Sequence, residues 1–249
     1  MTVISAKNEL ARCVYQIDRR TGSRGRPRVL STTEAIDKIL FVCRTGCQWS
    51  ALQGIDGLSY KTVYHRFNLW SKHRLFEHAF YQLVVEYRAT HQNPLAADTT
   101  SVKNVYGHNV KGRNYADRGR MSTKVSILSD SAAVPIALAF HEGNRNDAIT
   151  LPHLLNEAQR KTASPLRSHA VIYADKGYDS ETCRKTCISH GLRPYIPRRG
   201  SPAVWGGIRV AVEIAIGRID KFRRVILRYD SHIRNFKSFH YLACACIVP

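Results

Sequence analysis

Polar and apolar positions in the first 92 residues repeat at helical spacing. Ser31-Thr32-Thr33-Glu34 sets a serine before a helix and a glutamate at its third position, the pairing of a capping box, and Ile36, Ile39, Leu40 and Cys43 follow on one face until Gly46. That spacing predicts a helix of about four turns. Beyond Trp49, Leu52 and two glycines, Ser59-Tyr60-Lys61-Thr62 opens a second pattern, with Val63, Phe67 and Trp70 recurring while Lys61, His65, Arg66 and Lys72 punctuate it. A third helix is predicted over Leu75 to Arg88. Helix, turn and a helix rich in basic and hydrogen-bonding side chains suit a helix-turn-helix module with Lys61, His65 and Arg66 as contacts, and also suit a plain three-helix bundle. Ahead of them, Arg19 to Arg28 reads as a basic loop. Its core, Arg24-Gly25-Arg26-Pro27-Arg28, fits either a solvated linker or an extended segment of AT-hook type, in which Arg26 and Arg28 sense a narrow minor groove.

From Asn93-Pro94 the texture changes. Leu95 to Val102, Thr123 to Leu128, Val134 to Phe140, Ala170 to Ala174 and Arg193 to Ile196 are short runs suited to strands, with helical patterns at 148 to 160 and 179 to 190 between the later ones. A closing helix carries Ile208, Val212, Ala215, Ile216 and Ile219 as an apolar stripe, which sets Arg209, Glu213 and Asp220 on another face. This order predicts an α/β fold: a ribonuclease-H-like domain over 93–249, built on a mixed five-stranded sheet with helices, after an all-α, helix-turn-helix-like domain over 1–92. The apolar terminal segment from Phe239 to Val248 suits packing in cis, as a cover for its own domain, or across a two-fold axis.

Charge narrows the class of partner. The chain of 249 residues holds 38 Lys+Arg against 19 Asp+Glu, a formal charge of +19, spread over both regions without a long run of one sign. With 44% hydrophobic residues it is too apolar for a disordered basic tail, and a folded basic surface matches a polyanion such as nucleic acid. No apolar run is long enough to span a bilayer, and MTVISAKNEL lacks the basic-then-apolar pattern of a signal peptide, so an intracellular, DNA-associated protein is expected. Seven cysteines, an odd number, argue against a disulfide framework. Cys43 with Cys47 and Cys183 with Cys187 have a spacing open to zinc, but their apolar helical settings favour buried thiols.

Three carboxylates stand out. Asp98 lies inside the predicted strand Leu95-Ala96-Ala97-Asp98-Thr99-Thr100-Ser101-Val102, where an ionised group needs a cation or donors. Asp175 ends Val171-Ile172-Tyr173-Ala174-Asp175, at the carboxyl end of a strand where α/β sheets gather ligands. Glu213 faces outward from the closing helix. Converging, they suit two divalent cations, Mg²⁺ or Mn²⁺, for in-line phosphoryl transfer. Taken singly, each has a structural alternative: a buried acceptor, a turn residue, or the ion-pair partner of Arg209 one turn away. Asp147 and Asp179 are expected to open helices, and His108, His141 and His190 to be neutral loop histidines without metal-ligand spacing.

The text around all three carboxylates resembles one family. Leu95-Ala96-Ala97-Asp98-Thr99-Thr100, Ala174-Asp175-Lys176-Gly177-Tyr178-Asp179, and Val212-Glu213 followed by Phe222-Arg223-Arg224 and Arg228-Tyr229-Asp230 look like the three signature blocks of DDE transposases of the insertion-sequence IS-five group. Gly25-Arg26-Pro27-Arg28, Arg44-Thr45-Gly46-Cys47-Gln48-Trp49 and Lys61-Thr62-Val63-Tyr64-His65-Arg66-Phe67 resemble its N-terminal DNA-binding block. Thr123-Lys124, Gly143-Asn144-Arg145-Asn146-Asp147 and Pro194-Tyr195-Ile196-Pro197 fit in between. The resemblance implies that Asp98, Asp175 and Glu213 are the catalytic, metal-binding triad. It also implies DNA contacts at Arg209, Lys221, Arg223 and Arg224, with terminal inverted repeats and target DNA as partners. The 38-residue step from Asp175 to Glu213 leaves no room for a β-rich insertion. In the family's last block a Tyr and a Lys flank the Arg and Glu; here Gly206 and Asp220 stand at those positions, and Lys221 follows one residue later.

The function expected is a DNA transposase that binds element ends, cleaves phosphodiester bonds with two divalent metals and transfers the 3′-OH ends to target DNA, working as a homodimer or larger assembly. A catalytically inactive, transposase-derived DNA-binding protein or regulator, and a nuclease of the same fold that cuts without strand transfer, are the competing readings.

Overall fold

The computed structural model describes residues 2–21, 30–53, 59–162, 170–201 and 207–249. Arg26, Arg28 and Gly206 lie outside the described residues. The chain opens with α1 (Thr2–Thr21), which buries Ala6, Leu10 and Val14 at helical intervals. The helix includes Arg19 and Arg20, which the sequence reading set in the basic loop; residues 22–28 of that loop lie outside the described residues. In α2 (Thr32–Thr45) the capping box forms as expected: the Ser31 hydroxyl accepts from the Glu34 amide at 3.2 Å, and the Glu34 carboxylate accepts from the Ser31 amide at 2.8 Å. Gly46 ends it in the left-handed region, φ 70°, and a Cβ there would stand 3.2 Å from the carbonyl carbon of Arg223, so glycine meets both the turn and the close approach. A single 3₁₀ turn (Trp49–Leu52), α3 (Tyr60–Lys72) and α4 (Leu75–Thr90) complete this region.

Five strands form the body of the sheet: β1 (Leu95–Asn104), β3 (Arg120–Asp130), β4 (Pro135–Glu142), β5 (Val171–Ala174) and β6 (Arg193–Tyr195). They lie in the order β4-β3-β1-β5-β6, antiparallel across β4-β3-β1 and parallel across β1-β5-β6. This is the mixed sheet of a ribonuclease-H-like fold. Short β2 (Gly112–Asn114) pairs with β3, and β7 (Leu227–Arg228) pairs with the far end of β1. Helices α5 (Asp147–Thr162) and α6 (Glu181–Ser189) connect the later strands; α7 (Gly207–Asp220) packs on β1 and β3 through Val212, Ala215 and Ile219. A one-turn α8 (Arg223–Ile226) precedes β7, and α9 (Ile233–Ala245) follows it.

The change from helices to strands falls between α4 and β1, but the core does not divide there. Helix α9 packs against α2, α3, α4 and β4. Phe239 stacks on Phe67 at 4.5 Å between ring centroids, and the Cys43 thiol lies 3.7 Å from the Phe239 carbonyl oxygen. One hydrophobic cluster therefore runs from Ala6 to Val248. The terminal apolar segment is packed in cis. All seven cysteines are free thiols, and all but the half-buried Cys47 are buried. Among the described residues no helix is long and apolar enough to cross a membrane.

Candidate active site

Strand register brings the first two carboxylates together. Parallel pairing of β1 with β5 matches Ala97 to Ala174, so Asp98, the next residue of β1, and Asp175, the first residue past β5, stand together at the end of that ladder. Asp98 Oδ1 accepts from the Thr99 amide at 2.8 Å; Asp175 Oδ1 accepts from the Lys176 amide at 2.6 Å and heads the 3₁₀ turn Lys176–Tyr178. Glu213 comes from the exposed side of α7, one turn after Arg209. The Arg209 guanidinium lies between them, with Nη1 3.3 Å from Asp175 Oδ1 and Nη2 3.6 Å from Glu213 Oε1. Both pairs are partly exposed, so each contributes about 1 kcal/mol or less.

Electrostatics tie in the third member. Burial pushes the Asp98 carboxyl above its usual range, the Thr99 amide and Arg209 hold it back, and the nearby charges of Asp175 and Glu213 push it further. The cluster is thus three carboxylates with one guanidinium among them, an all-oxygen donor set of the kind hard divalent cations prefer. Among the described residues no three His, Cys, Asp or Glu side chains form a ready-made metal nest, and Arg209 takes two of the three carboxylates here.

Behind the carboxylates a hydroxyl network fixes the strand ends. Thr99 Oγ1 lies 2.7 Å from the Tyr178 hydroxyl and 2.9 Å from Ser126 Oγ, joining β1, β3 and the turn after Asp175. Burial pushes the Tyr178 phenol well up, so it stays a neutral partner. Thr99 and Tyr178 both stand in the signature blocks, but nothing in their sequence positions pairs the two hydroxyls. Asp147 lies near the same turn, but its Oδ1 pairs with Lys124 Nζ at 2.8 Å, and the residue that caps α5 is Asn146, which accepts from the Ala148 amide. Asp179 likewise does not cap α6; Ser180 does, while Asp179 pairs with Arg184 at 2.6 Å. His141 is a half-buried residue of β4 rather than a loop histidine, and partial burial lowers it to about 4.

The expected DNA contacts divide. Lys61 and His65 are exposed on α3, and Lys221 and Arg223 are exposed beyond the end of α7. Arg66 is not available as a contact: it is buried and donates to the Ser31 carbonyl at 2.8 Å, bracing the start of α2. Arg224 is not available either. It is buried against Asp230, with Nη2 3.2 Å from Oδ1, and its guanidinium lies 5.3 Å from the Phe239 ring centroid. Arg228, to which the sequence reading assigned no role, is fully buried. It donates to the carbonyls of Asn109 (2.7 Å), Val110 (3.1 Å), Asp230 (3.3 Å) and Ser231 (3.4 Å), and to Thr123 Oγ1 (2.9 Å) and Asn109 Oδ1 (3.3 Å).

Comparisons with known proteins cover nearly the whole chain. Residues 10–80 match the family described as "Putative transposase of IS4/5 family", and residues 89–248 match "Transposase DDE domain". A "Putative transposase for insertion sequence element IS402" of Burkholderia cepacia is 30% identical over 147 residues, 57% of this chain and 70% of that protein. Among solved structures, the catalytic domain of Mos1 mariner transposase aligns with 68% of this chain and 87% of its own at 11% identity and a TM-score of 0.36. The Mos1 strand transfer complex aligns with 92% and 82% at 10% identity and a TM-score of 0.35.

Proposed function

Because the chain belongs to the DDE transposases of the IS4/5 group, and is thereby a nucleic-acid-cleaving and strand-transferring enzyme, we propose that Asp98, Asp175 and Glu213 are the residues that carry its chemistry. The observation that supports this is their convergence from β1, β5 and α7 on one guanidinium. Mg²⁺ or Mn²⁺, when bound, supplies activation of the attacking hydroxyl and neutralisation of the leaving oxygen. The chain's own part is positional. Asp98 and Asp175 are held at a fixed strand spacing by backbone amides and by the Thr99–Tyr178 network, and Glu213 projects from a helix seated on the same strands. The reaction is hydrolysis of a phosphodiester at each element end, then attack of the freed 3′-OH on target DNA, with no covalent protein intermediate.

Exposed Lys61, His65, Lys221 and Arg223 supply phosphate contacts, and Arg26 and Arg28 belong to the same set. The net charge of +19 gives the whole surface an affinity for DNA. Two ends must be cut and joined in one event, while one chain offers one triad, so the working unit holds at least two copies. The test is cleavage and strand transfer on DNA bearing the element's inverted repeats, with Mg²⁺, by the wild type and by Asp98→Asn, Asp175→Asn and Glu213→Gln. Each variant is expected to lose both steps while keeping the fold and most DNA affinity. Near-normal cleavage by any one of them overturns the assignment, and an inactive wild type that still binds the ends favours the regulator.

A further inference from the structure

Arg209 sits where the negative charge of the cluster is greatest. Its planar fork spans Asp175 and Glu213, at 3.3 and 3.6 Å, and Asp98 feels the same guanidinium as a favourable charge. Both separations exceed the roughly 2.7–2.9 Å of a tight charge-assisted pair, and among the described residues the buried Arg209 Nε finds no acceptor. The guanidinium is therefore held loosely, with a donor unused. It nevertheless takes oxygens that a cation shared by Asp175 and Glu213 would need, and with the guanidinium in place the three carboxylates, like every other group of acids, thiols and imidazoles among the described residues, do not form a ready metal nest.

Resting on the carboxylate assignment above, we propose that Arg209 is the resident counterion of the triad, keeping divalent cations out of the free protein until a DNA phosphate draws its guanidinium off Asp175 and Glu213. Phosphate is a chemically apt competitor, because it offers the fork two oxygens just as a carboxylate does. The Arg209 side chain is 31% exposed, enough for a phosphate to reach it. Three carboxylates and one guanidinium sum to a charge of about −2; once the guanidinium has moved to DNA the cluster stands near −3 and attracts a cation more strongly. Coupling of this kind is reciprocal, so DNA strengthens cation binding by the same factor as the cation strengthens DNA binding. Arg209 is in this sense a gate on metal loading, set one helical turn from the glutamate it guards.

The experiment measures Mn²⁺ binding to the full chain by titration calorimetry, with and without a DNA duplex bearing the inverted repeat, for the wild type, Arg209→Gln and Arg209→Lys. The signal counted is the part lost in Asp98→Asn, which removes Mn²⁺ held by DNA alone. Wild type and Arg209→Lys are expected to bind Mn²⁺ weakly alone and about tenfold more tightly with DNA. Arg209→Gln is expected to bind about tenfold more tightly than wild type without DNA and to gain little from adding it. Equal Mn²⁺ affinity of wild type and Arg209→Gln in the absence of DNA overturns the gate while leaving the triad in place. Mn²⁺ binding that survives in Asp98→Asn, Asp175→Asn and Glu213→Gln alike overturns the site itself, and the gate with it.

Discussion

Replacing Arg228 with lysine keeps the charge and removes the fork, and the structure allows the loss to be worked out bond by bond. Six acceptors surround the fully buried guanidinium, at 2.7 to 3.4 Å, four of them backbone carbonyls on the segment 109–110 and the turn 230–231. A guanidinium has five N–H hydrogens and an ammonium three, so at least two donors are lost, while the Val110 and Ser231 carbonyls keep Thr123 Oγ1 and the His108 amide. At about 1 kcal/mol for each buried hydrogen bond lost, the substitution costs about 2 kcal/mol. Val110 adds to the case. Its φ of 50° is strained for a β-branched residue, and its carbonyl is held by Arg228 and by Thr123 Oγ1 at 2.8 Å. Freed from half of that hold, the segment relaxes. The expected outcome is a fall in melting temperature of about 4–8 °C for a chain of this size, with faster amide exchange concentrated at residues 105–111. Thermal unfolding followed by circular dichroism and hydrogen–deuterium exchange would measure the two effects. A variant within about 1 kcal/mol of wild type, with unchanged exchange in that segment, would refute the view that the fork, rather than the charge, does the holding.

Ser31→Ala removes one half of the capping box of α2 and is expected to cost about 1 kcal/mol in denaturant unfolding; an unchanged midpoint would count against the cap. Lys61→Ala and Arg66→Ala should separate cleanly. The first flattens the log–log salt dependence of DNA affinity by about one unit at near-normal stability, and the second lowers stability by about 1–3 kcal/mol, since it removes a buried charged donor from the Ser31 carbonyl, which keeps only the Ala35 amide, so the reverse pattern would reassign both residues. Burial lowers the fully buried His240 to about 4, so between its ordinary 6.5 and about 4 the unfolded chain binds a proton that the native chain does not. Native stability therefore falls as pH drops through that window, and His240→Gln should shallow the decline in pH-dependent melting; an identical slope would show that His240 takes no part in it.

Where a side chain's neighbours in space were also its neighbours along the chain, the sequence was readable. The α2 cap, its glycine stop, the strand positions of Asp98 and Asp175 and the stripe on α7 all depend on local spacing, and the structure contains each of them. The grouping of the three carboxylates depended instead on the family resemblance, since nothing in local spacing brings β1, β5 and α7 together. Charge without burial misled: Arg66 and Arg224 look like surface cations in the sequence, but carbonyls and a buried aspartate distant from any visible pattern take them inside. Asn146 and Ser180 displaced Asp147 and Asp179 as helix caps because a neutral side chain already satisfied the first amides, leaving the aspartates to Lys124 and Arg184. Thr99 and Tyr178 were invisible for a related reason, as a hydroxyl shows its partner only after the sheet has formed.

The long-range packing of α9 carries a consequence for how the chain is made. Phe239 completes a contact with Phe67, and the Cys43 thiol meets a carbonyl 196 positions later. While the chain is being synthesised, the helices of residues 2–90 leave the ribosome with the apolar faces of α2, α3 and α4 uncovered, and they stay so until α9 follows. Closing such distant contacts is slow, and exposed apolar surface invites chaperones and aggregation in the interval. A nascent or truncated chain lacking Ile233–Ala245 would therefore lack a finished core. A frameshift that removes α9 would thus unseat the helices of residues 2–90, and with them the fold on which the enzyme depends.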